Sequence, residues 1–413
     1  MNKAGDGAQR SSRRGLLAAA GGLVVASGAR AARGADRGAK TEAFWGSHQA
    51  GIVTPQQSQC YMAAFDLATD RRAEVIALLR RWTRAAARLT EGGAMVPPGG
   101  STDAPGGDSG EATGLGPARL TITFGFGAGL FIKDGTDRYG LAALRPAALV
   151  DLPRFNGDQL VAGRTGGDLW VQACAEDPQL VFHAVRQMAR LAEDSAELRW
   201  AQAGFLSAPG DGSTPRNLMG FKDGTQRPAD VNKAVWVREP GWMRAGSYVV
   251  VRRIRMALEH WDRTKLSFQE ETMGRHKYSG APLGLRGEFE PLGLDRNDVD
   301  GNPIIAEGAH VRLGNAQANG AADILRRGYS YNEGVNFTAE RWPPWRQGME
   351  LDAGLLFVCY QNDPRAGFVR IFEKMAKFDM LNQYVTHTGG GLFACPGGAV
   401  EGEFIGQALF ERA

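Results

Sequence analysis

Several common features are scarce in this sequence of 413 residues. It contains four widely separated cysteines and six histidines, with no Cys-x-x-Cys pair and no cysteine–histidine cluster. This spacing argues against a zinc site and favours buried free thiols. The 48 basic and 45 acidic residues give a net charge of only +3, and the two signs are interspersed. We therefore expect no nucleic acid as the main partner.

The first forty residues differ in composition from the rest. Arg13 and Arg14 in SRRGLL precede the weakly apolar run LLAAAGGLVVASGA, and the small residues ARA follow at 29–31. This pattern resembles a twin-arginine export signal. A transmembrane helix needs about 20 strongly apolar residues. We therefore expect residues 1–40 to be a signal and linker, no stable membrane span after processing, and a periplasmic or extracellular location. An uncleaved anchor or a basic tail is the alternative.

The first half of the mature chain reads as alternating strands and helices. Apolar periodicity predicts strands at 58–67, 119–127, 168–175 and 198–206, and helices at 70–89 and after Asp177. Asp177 is a typical N-cap and Pro178 a typical first helical residue. The order is βαββαβ, a ferredoxin-like unit.

The second half repeats this order more loosely. Strands are predicted in GSYVVVRRIRMAL, at 354–362 and in GGLFACP, and helices in EHWDRTKLSFQEETMG and AGFVRIFEKMAKF. We therefore predict an α+β fold of two ferredoxin-like units with antiparallel sheets, of the dimeric α+β barrel type. The Pro-, Gly- and Ser-rich join near 207–216 separates domains 41–210 and 211–413. Residues 91–117 read as a disordered-like surface insertion.

The stretch NLMGFKDGTQRP, residues 217–228, places Asp223 between Gly220 and Gly224. An Asx-type turn is the more frequent explanation for such an aspartate. Elsewhere, His310 heads AHVRLGN and Arg326 follows in LRRGYSY. A solitary histidine is compatible with haem, which needs only one protein ligand when its other face stays open. Peroxide activation there also needs an acid–base group and a cation, for which Asp223 and Arg326 are suited, although composition alone does not select them.

A set of longer segments carries a family resemblance. These are FWGSHQAGI, CAEDPQLVFHAVR, PRNLMGFKDGT, SYVVVRRIRMALEHWDR, GRHKYSGAPLG, AHVRL, LRRGYSYNEG and GLLFVCYQND. Together they resemble the dye-decolourising peroxidase family over about residues 42–410, and they are most similar to its exported bacterial branch, which is associated with iron uptake and also described as deferrochelatase. The family fold is a pair of ferredoxin-like units.

The resemblance implies a haem b site in the domain 211–413. It places His310 at the axial position on the haem iron, and Asp223 and Arg326 at the catalytic positions on the other face. The proximal histidine needs an acceptor for its second N–H, and the resemblance puts Asp379 there, with Asp352 in reserve.

Further haem-binding residues follow from the same resemblance. Gly224, Thr225 and Gln226 are expected to line the haem, and Arg275 in GRHK to meet a haem propionate, for which a guanidinium offers paired hydrogen bonds. Asn315 is another expected contact. Here the chain reads Asn-Ala-Gln where the family commonly has Asn-Pro-Arg.

The function implied is a haem b peroxidase that reduces hydrogen peroxide and oxidises bulky organic donors such as dyes. A deferrochelatase, which releases iron and leaves the porphyrin intact, and a non-catalytic haem-binding or delivery protein are the alternatives. Tyr329, Tyr331 and Tyr360 are candidates to relay electrons, or are core aromatics. We also expect a homo-oligomer, a dimer, with iron-uptake proteins as possible partners.

Overall fold

The computed structural model describes residues 40–94, 102–103, 106–207, 209–339 and 347–411. The predicted export signal, apart from residue 40, therefore lies outside the described residues. In the part that is described, no helix has both the length and the apolar character needed to cross a membrane.

The regular elements follow the chain in a repeated order. The strands are β1 (Gln59–Leu67), β2 (Thr121–Phe126), β3 (Leu169–Ala175), β4 (Ala196–Phe205), β5 (Ser247–Met256), β6 (Leu325–Arg326), β7 (Tyr329–Ala339), β8 (Gln347–Gln361) and β9 (Val385–Cys395). The helices are α1 (Arg72–Thr90), α2 (Pro178–Ala192), α3 (Val231–Val235), α4 (Leu258–Trp261), α5 (Leu266–Met273), α6 (His310–Leu313), α7 (Arg370–Phe378) and α8 (Gln407–Glu411).

Each half of the chain builds one antiparallel sheet. The N-terminal sheet has the order β2-β3-β1-β4, and the C-terminal sheet has the order β9-β5-β8-β7, with the short strand β6 also paired to β8. The two sheets meet edge to edge through Phe126 opposite Ala394 and Phe205 opposite Ser330. The strands therefore close into a ring. The predicted α+β fold of two ferredoxin-like units is confirmed.

Two buried layers result from the ring. The inward faces of both sheets pack around Met62, Trp170 and Tyr360, among others. On the outside of the N-terminal sheet, α1 and α2 bury their apolar sides against Phe65 and Phe124. As predicted, the Asp177 side chain caps α2, accepting hydrogen bonds from the backbone N–H groups of Gln179 and Leu180.

The structure differs from the sequence interpretation in the second half. Strand β7 was not predicted, because its segment is polar and its register shifts between Asn332 and Val335, around Gly334 at φ +88°. The predicted helix over EHWDRTKLSFQEETMG is two short helices, α4 and α5. In the predicted insertion 91–117, residues 106–117 form turns and loops. Oε1 of Glu111 in this segment lies 3.2 Å from Nδ1 of His183 on α2. The domain boundary near 210 stays a prediction.

Candidate active site

A cavity of about 390 Å³ lies in the C-terminal half of the chain. One side is formed by strands of the C-terminal sheet, including Ile254, Leu355 and Phe357, and another by α7 and the turns beside it, including Phe372 and Met375. Most of the lining is apolar. The polar groups that do reach the cavity are therefore candidates for its chemistry.

The helical side of the cavity presents a histidine paired with a buried carboxylate. His310 begins α6, and its Nδ1 lies 2.7 Å from Oδ2 of Asp379, which follows α7. The other oxygen of Asp379 accepts a hydrogen bond from the backbone N–H of Leu381 at 2.8 Å. The Asp379 side chain is only 3% exposed. Asp379 therefore has a fixed position and, as an acceptor, holds the proton of His310 on Nδ1.

This pairing leaves Nε2 of His310 with a lone pair for a metal. Burial by itself would lower the pKa of His310, but the charge of Asp379 and its hydrogen bond outweigh this, and the pKa is raised from its usual value. The side chain is 29% exposed, and His310 lines the cavity. The imidazole is thus basic, oriented and accessible from the cavity, as an axial ligand must be.

A tight loop carries Asp223 into the same cavity. Arg216 and Lys222 form an antiparallel bridge, and the side-chain oxygen of Asn217 accepts hydrogen bonds from the backbone N–H groups of Met219 and Phe221. Gly220 in this loop has φ +85°, which favours glycine.

Asp223 and its neighbour Gly224 follow directly after this bridge. The backbone N–H of Asp223 donates to the carbonyl of Pro215 at 2.8 Å. Gly224 has φ +108°, and a Cβ at this position would meet only open space. The glycine is therefore required by backbone conformation, and the loop leaves room beside Asp223.

The acidic group of this loop faces an arginine. Oδ1 of Asp223 lies 3.6 Å from Nη1 of Arg326 on β6, and the two side chains are 32% and 36% exposed. Nη2 of Arg326 is 3.5 Å from the backbone carbonyl of Gln226. The ion pair is longer than a hydrogen bond, so both groups retain capacity to interact with a small ligand.

Glu288 supports this side of the cavity and was not identified from the sequence. Its carboxylate accepts hydrogen bonds from Thr225 at 3.1 Å and from Lys222 and Thr214 at shorter distances. Burial opposes ionisation of Glu288, but these hydrogen bonds and the charge of Lys222 lower its pKa overall. Glu288 therefore fastens the loop on both sides of Asp223. No local pattern in its irregular segment marks it.

The remaining predicted residues reach the same cavity. Arg275 is buried, and its Nη1 donates to the carbonyls of Gly280 and Glu288 at 2.7 and 3.0 Å. Asn315 lies near His310 and accepts a hydrogen bond from the backbone N–H of Gln317. The complete set of predicted site residues lining the cavity is Asp223, Gly224, Thr225, Gln226, Arg275, His310, Asn315, Arg326 and Asp379.

Comparison with known proteins gives this arrangement a family. Residues 49–206 match the N-terminal region of the Dyp-type peroxidases, and residues 214–400 match the C-terminal region. This chain belongs to the Dyp-type peroxidase family. The resemblance inferred from the sequence segments is thereby confirmed, as is the expectation that the chain is an enzyme of the peroxidase type.

Relatives of this Dyp-type chain carry two kinds of name. The dye-decolorizing peroxidase of Thermobifida fusca is 38% identical over 88% of this chain and 84% of its own length. The deferrochelatase of Escherichia coli K12 is 39% identical over 89% of this chain and 86% of its own. The oxyferrous complex of DtpA from Streptomyces lividans is 43% identical, covers 90% of this chain and 98% of its own, and superposes with a TM-score of 0.81.

The residues of this Dyp-type chain fit a haem. The cavity is largely apolar, has one oriented histidine, and carries the partly exposed Asp223 and Arg326 apart from that histidine's carboxylate partner. Across the described ranges, no group of three or more His, Cys, Asp or Glu side chains could hold a bare metal ion. A single axial ligand in an apolar cavity suits a porphyrin-bound iron and not a zinc centre.

Two further groups of residues named from the sequence lie outside the pairings described so far. The reserve assignment of Asp352 as the partner of His310 is wrong. Oδ1 of Asp352 lies 2.8 Å from Nη2 of Arg253, and the two side chains form a buried ion pair. Tyr329, Tyr331 and Tyr360 are buried inside the ring of strands and are core aromatics. Whether they also relay electrons stays a prediction.

Proposed function

We propose that this protein is a haem b peroxidase that reduces hydrogen peroxide and oxidises bulky organic donors such as dyes. The observation that carries the proposal is the division of one cavity between two polar sets. His310 with Asp379 supplies a single oriented ligand, and Asp223 with Arg326 supplies an acid–base group beside a cation. Bound haem would supply the redox-active iron on which the O–O bond is broken.

The residues divide the work of binding this group. Nε2 of His310 would coordinate the iron, and the Asp379 carboxylate orients the imidazole and increases its basicity. Arg275 would hold a propionate, since a buried guanidinium beside an anion is stabilised by charge as well as by hydrogen bonds. The open space at Gly224 would let a flat macrocycle approach the backbone.

Asp223 and Arg326, which we call the distal pair, would move a proton and stabilise charge. The Asp223 carboxylate would accept a proton from one oxygen of hydrogen peroxide and donate it to the other oxygen, which would leave as water. Arg326 stabilises the negative charge that develops as the O–O bond breaks. The 3.6 Å separation of the two side chains leaves both partly exposed, as this exchange requires. Donors too large for the cavity would deliver electrons from the protein surface.

Absorption spectroscopy of the purified, haem-reconstituted protein tests the proposal. We expect a Soret band that weakens and shifts after one equivalent of hydrogen peroxide. His310→Ala should lower haem loading, whereas the exposed His260→Ala should load haem like the wild type. Absence of a Soret band in the wild-type protein would refute haem binding. A Soret band that does not change when peroxide is added would refute peroxidase activity.

A second candidate activity is deferrochelatase, which releases iron and keeps the porphyrin intact. It is favoured by the relatives of that name at 39% identity. Recovery of protoporphyrin after incubation with haem and a reductant, without peroxide, would support it. A non-catalytic haem carrier would not require Asp223 and Arg326 in the cavity, so their presence counts against that alternative.

Export by the twin-arginine pathway to the periplasm or the extracellular space is part of the proposal. It is supported by SRRGLL and the apolar run that follows. Assembly as a homodimer and association with iron-uptake proteins are proposed with it. Replacing Arg13 and Arg14 together by lysine should retain the protein in the cytoplasm, as measured by cell fractionation. Unchanged export of that variant would contradict the signal.

A further inference from the structure

The interior of the strand ring contains a buried cation outside the proposed catalytic site. Arg327 is 4% exposed, its Nη1 donates to the carbonyl of Thr54, and its Nη2 donates to Oε1 of Gln57 at 3.1 Å. Its Nε has no hydrogen-bond partner within the described structure. Among the residues described, no carboxylate is within ion-pairing distance of Arg327. A buried charge with so little compensation is costly unless a nearby group carries the opposite charge.

Two cysteines are the candidates for that opposite charge. Cys60 on β1 is directly opposite Cys174 on β3, and the side chains are 1% and 0% exposed. Oη of Tyr329 lies 3.5 Å from Sγ of Cys174 and donates a hydrogen bond to it, whereas Cys60 has no such donor from a tyrosine among the described contacts. Cys174 is therefore the member of the pair that is placed to carry negative charge.

The electrostatics of the pair agree with this geometry. Burial raises the pKa of Cys60 well above its usual value, and its hydrogen bond to Cys174 adds to the rise. Burial also opposes ionisation of Cys174, but the Cys60 hydrogen bond and the Arg327 charge lower its pKa overall. In contrast, burial raises the pKa of Cys359 to about 12. The thiolate is the reactive form of cysteine, so the pair differs chemically from the other buried thiols.

The pair is also connected to the cavity. Arg327 directly follows Arg326, which lines the cavity, and successive residues of a strand point to opposite faces of a sheet. Tyr329 and Tyr360 lie on the inner face of the same sheet, in the buried cluster that also contains Cys60 and Cys174. The cysteine pair therefore lies across one sheet from the catalytic arginine, shielded from solvent but not remote from the chemistry.

We propose that Cys60 and Cys174 form a dithiol–disulfide couple that supplies the electrons for peroxide reduction when no organic donor is present. The Cα atoms of directly opposed residues in antiparallel strands are about 4.5–5.5 Å apart, within the range of about 4.4–6.8 Å found in disulfides. This inference rests on the proposed peroxidase function, which provides the oxidant. The couple would protect the protein from unused oxidising equivalents.

The electron count of the couple matches that of peroxide. When two thiols form one S–S bond, they release two electrons and two protons. Reduction of one hydrogen peroxide to two water molecules, with cleavage of its O–O bond, consumes two electrons and two protons. The sum is two thiols and one peroxide giving one disulfide and two waters, so no further reductant is required for one turnover.

Thiol counting by mass spectrometry tests the couple directly. The haem-loaded protein receives one equivalent of hydrogen peroxide without a donor, and is then denatured, alkylated with iodoacetamide and digested. We expect two alkylated cysteines fewer per chain and a linked peptide containing Cys60 and Cys174. Cys359→Ser should still form the link, and Cys60→Ser should not. Dye oxidation by the same preparation reports the peroxidase function separately.

The outcomes separate the two proposals. Intact Cys60 and Cys174 in a preparation that oxidises dye would overturn the couple and leave the peroxidase function standing. Intact thiols in a preparation without peroxidase activity would overturn both the cysteine couple and the proposed peroxidase function. Haem-free protein should keep its thiols, because both are buried from solvent peroxide. Equally fast oxidation without haem, or sulfonic acid in place of the link, would also overturn the proposal.

Discussion

The two polar sets of the cavity are held in place in different ways. His310 is bonded at 2.7 Å to Asp379, which is nearly inaccessible and is fixed again by the Leu381 N–H. Asp223, in contrast, lies 3.6 Å from Arg326, and about a third of each of these side chains is exposed. An axial ligand benefits from a rigid orientation, whereas a group that transfers a proton must be free to change partners. The structure thus separates ligation from proton transfer.

The sharpest test of this difference is removal of the proton carrier. Asp223→Asn keeps the size of the side chain but removes its basicity, so kcat/KM for peroxide should fall by about 10²–10⁴-fold. Haem loading should be unchanged, since His310 is untouched. Steady-state dye oxidation and the Soret absorbance measure the two effects. The exposed Asp211→Asn serves as the matched control, and wild-type turnover in the Asp223 variant would remove Asp223 from the mechanism.

Loss of the distal cation should have a slightly smaller effect. Arg326→Leu removes a donor to the developing charge, and a single such donor contributes about 10²–10³-fold to the rate. Arg326→Lys keeps the charge but lacks the guanidinium fork. Its rate of reaction with peroxide should therefore lie between those of the wild type and the leucine variant. The measurement is the rate of peroxide-dependent change in the Soret band by stopped flow. If leucine and lysine variants react equally fast, charge at this position is not what matters.

The rigid side of the cavity should respond through the electronic properties of the iron. Asp379→Asn weakens the bond that makes His310 basic, and changes at such supporting positions typically cost about 10–100-fold in activity. A less basic ligand stabilises ferric iron less, so the reduction potential should rise. Spectroelectrochemistry measures this potential.

Asp352→Asn is the matched control for Asp379. It breaks the buried ion pair with Arg253, so it should lower the melting temperature while leaving the potential unchanged. A potential that does not move in Asp379→Asn, or that moves equally in Asp352→Asn, would contradict a positioning role for Asp379.

The two halves of the fold differ in how well the sequence predicted them. The first ferredoxin-like unit follows from local apolar periodicity and from the cap at Asp177, both of which act within a few residues. Strand β7 was missed because its polar, bulged segment gains its structure from pairing with β8. Local patterns set the scaffold more clearly than they set long-range pairing.

The site residues were identified by a different route. His310 and Asp223 came from family resemblance, because composition alone favoured a turn at Asp223. Asp379 is 69 residues from His310, and Glu288 is 66 residues from Lys222, so no spacing rule joins either pair. The resemblance covers the residues that contact the haem site. Residues such as Glu288, which act by supporting the loop, had no such signal.

Glu288 gives the smallest of the expected effects, and one that depends on pH. Its folded pKa is lowered, so the ionised form stabilises the folded state at any pH above the ordinary glutamate value near 4.5, and this stabilisation is lost as pH falls through the folded pKa. Glu288→Gln keeps the shape and some hydrogen bonds but loses the charge facing Lys222, a loss on the order of 1 kcal/mol. The melting temperature of the variant should therefore lie below that of the wild type at pH 7, and the gap should narrow as the pH falls below about 4.5.

The exposed Glu307→Gln is the control for Glu288→Gln, and its melting temperature should equal that of the wild type at either pH. A gap for Glu288→Gln that stays constant down to low pH would mean that Glu288 supports the Asp223 loop by its shape and not by its charge, and the distal side would then be as rigidly packed as the proximal one.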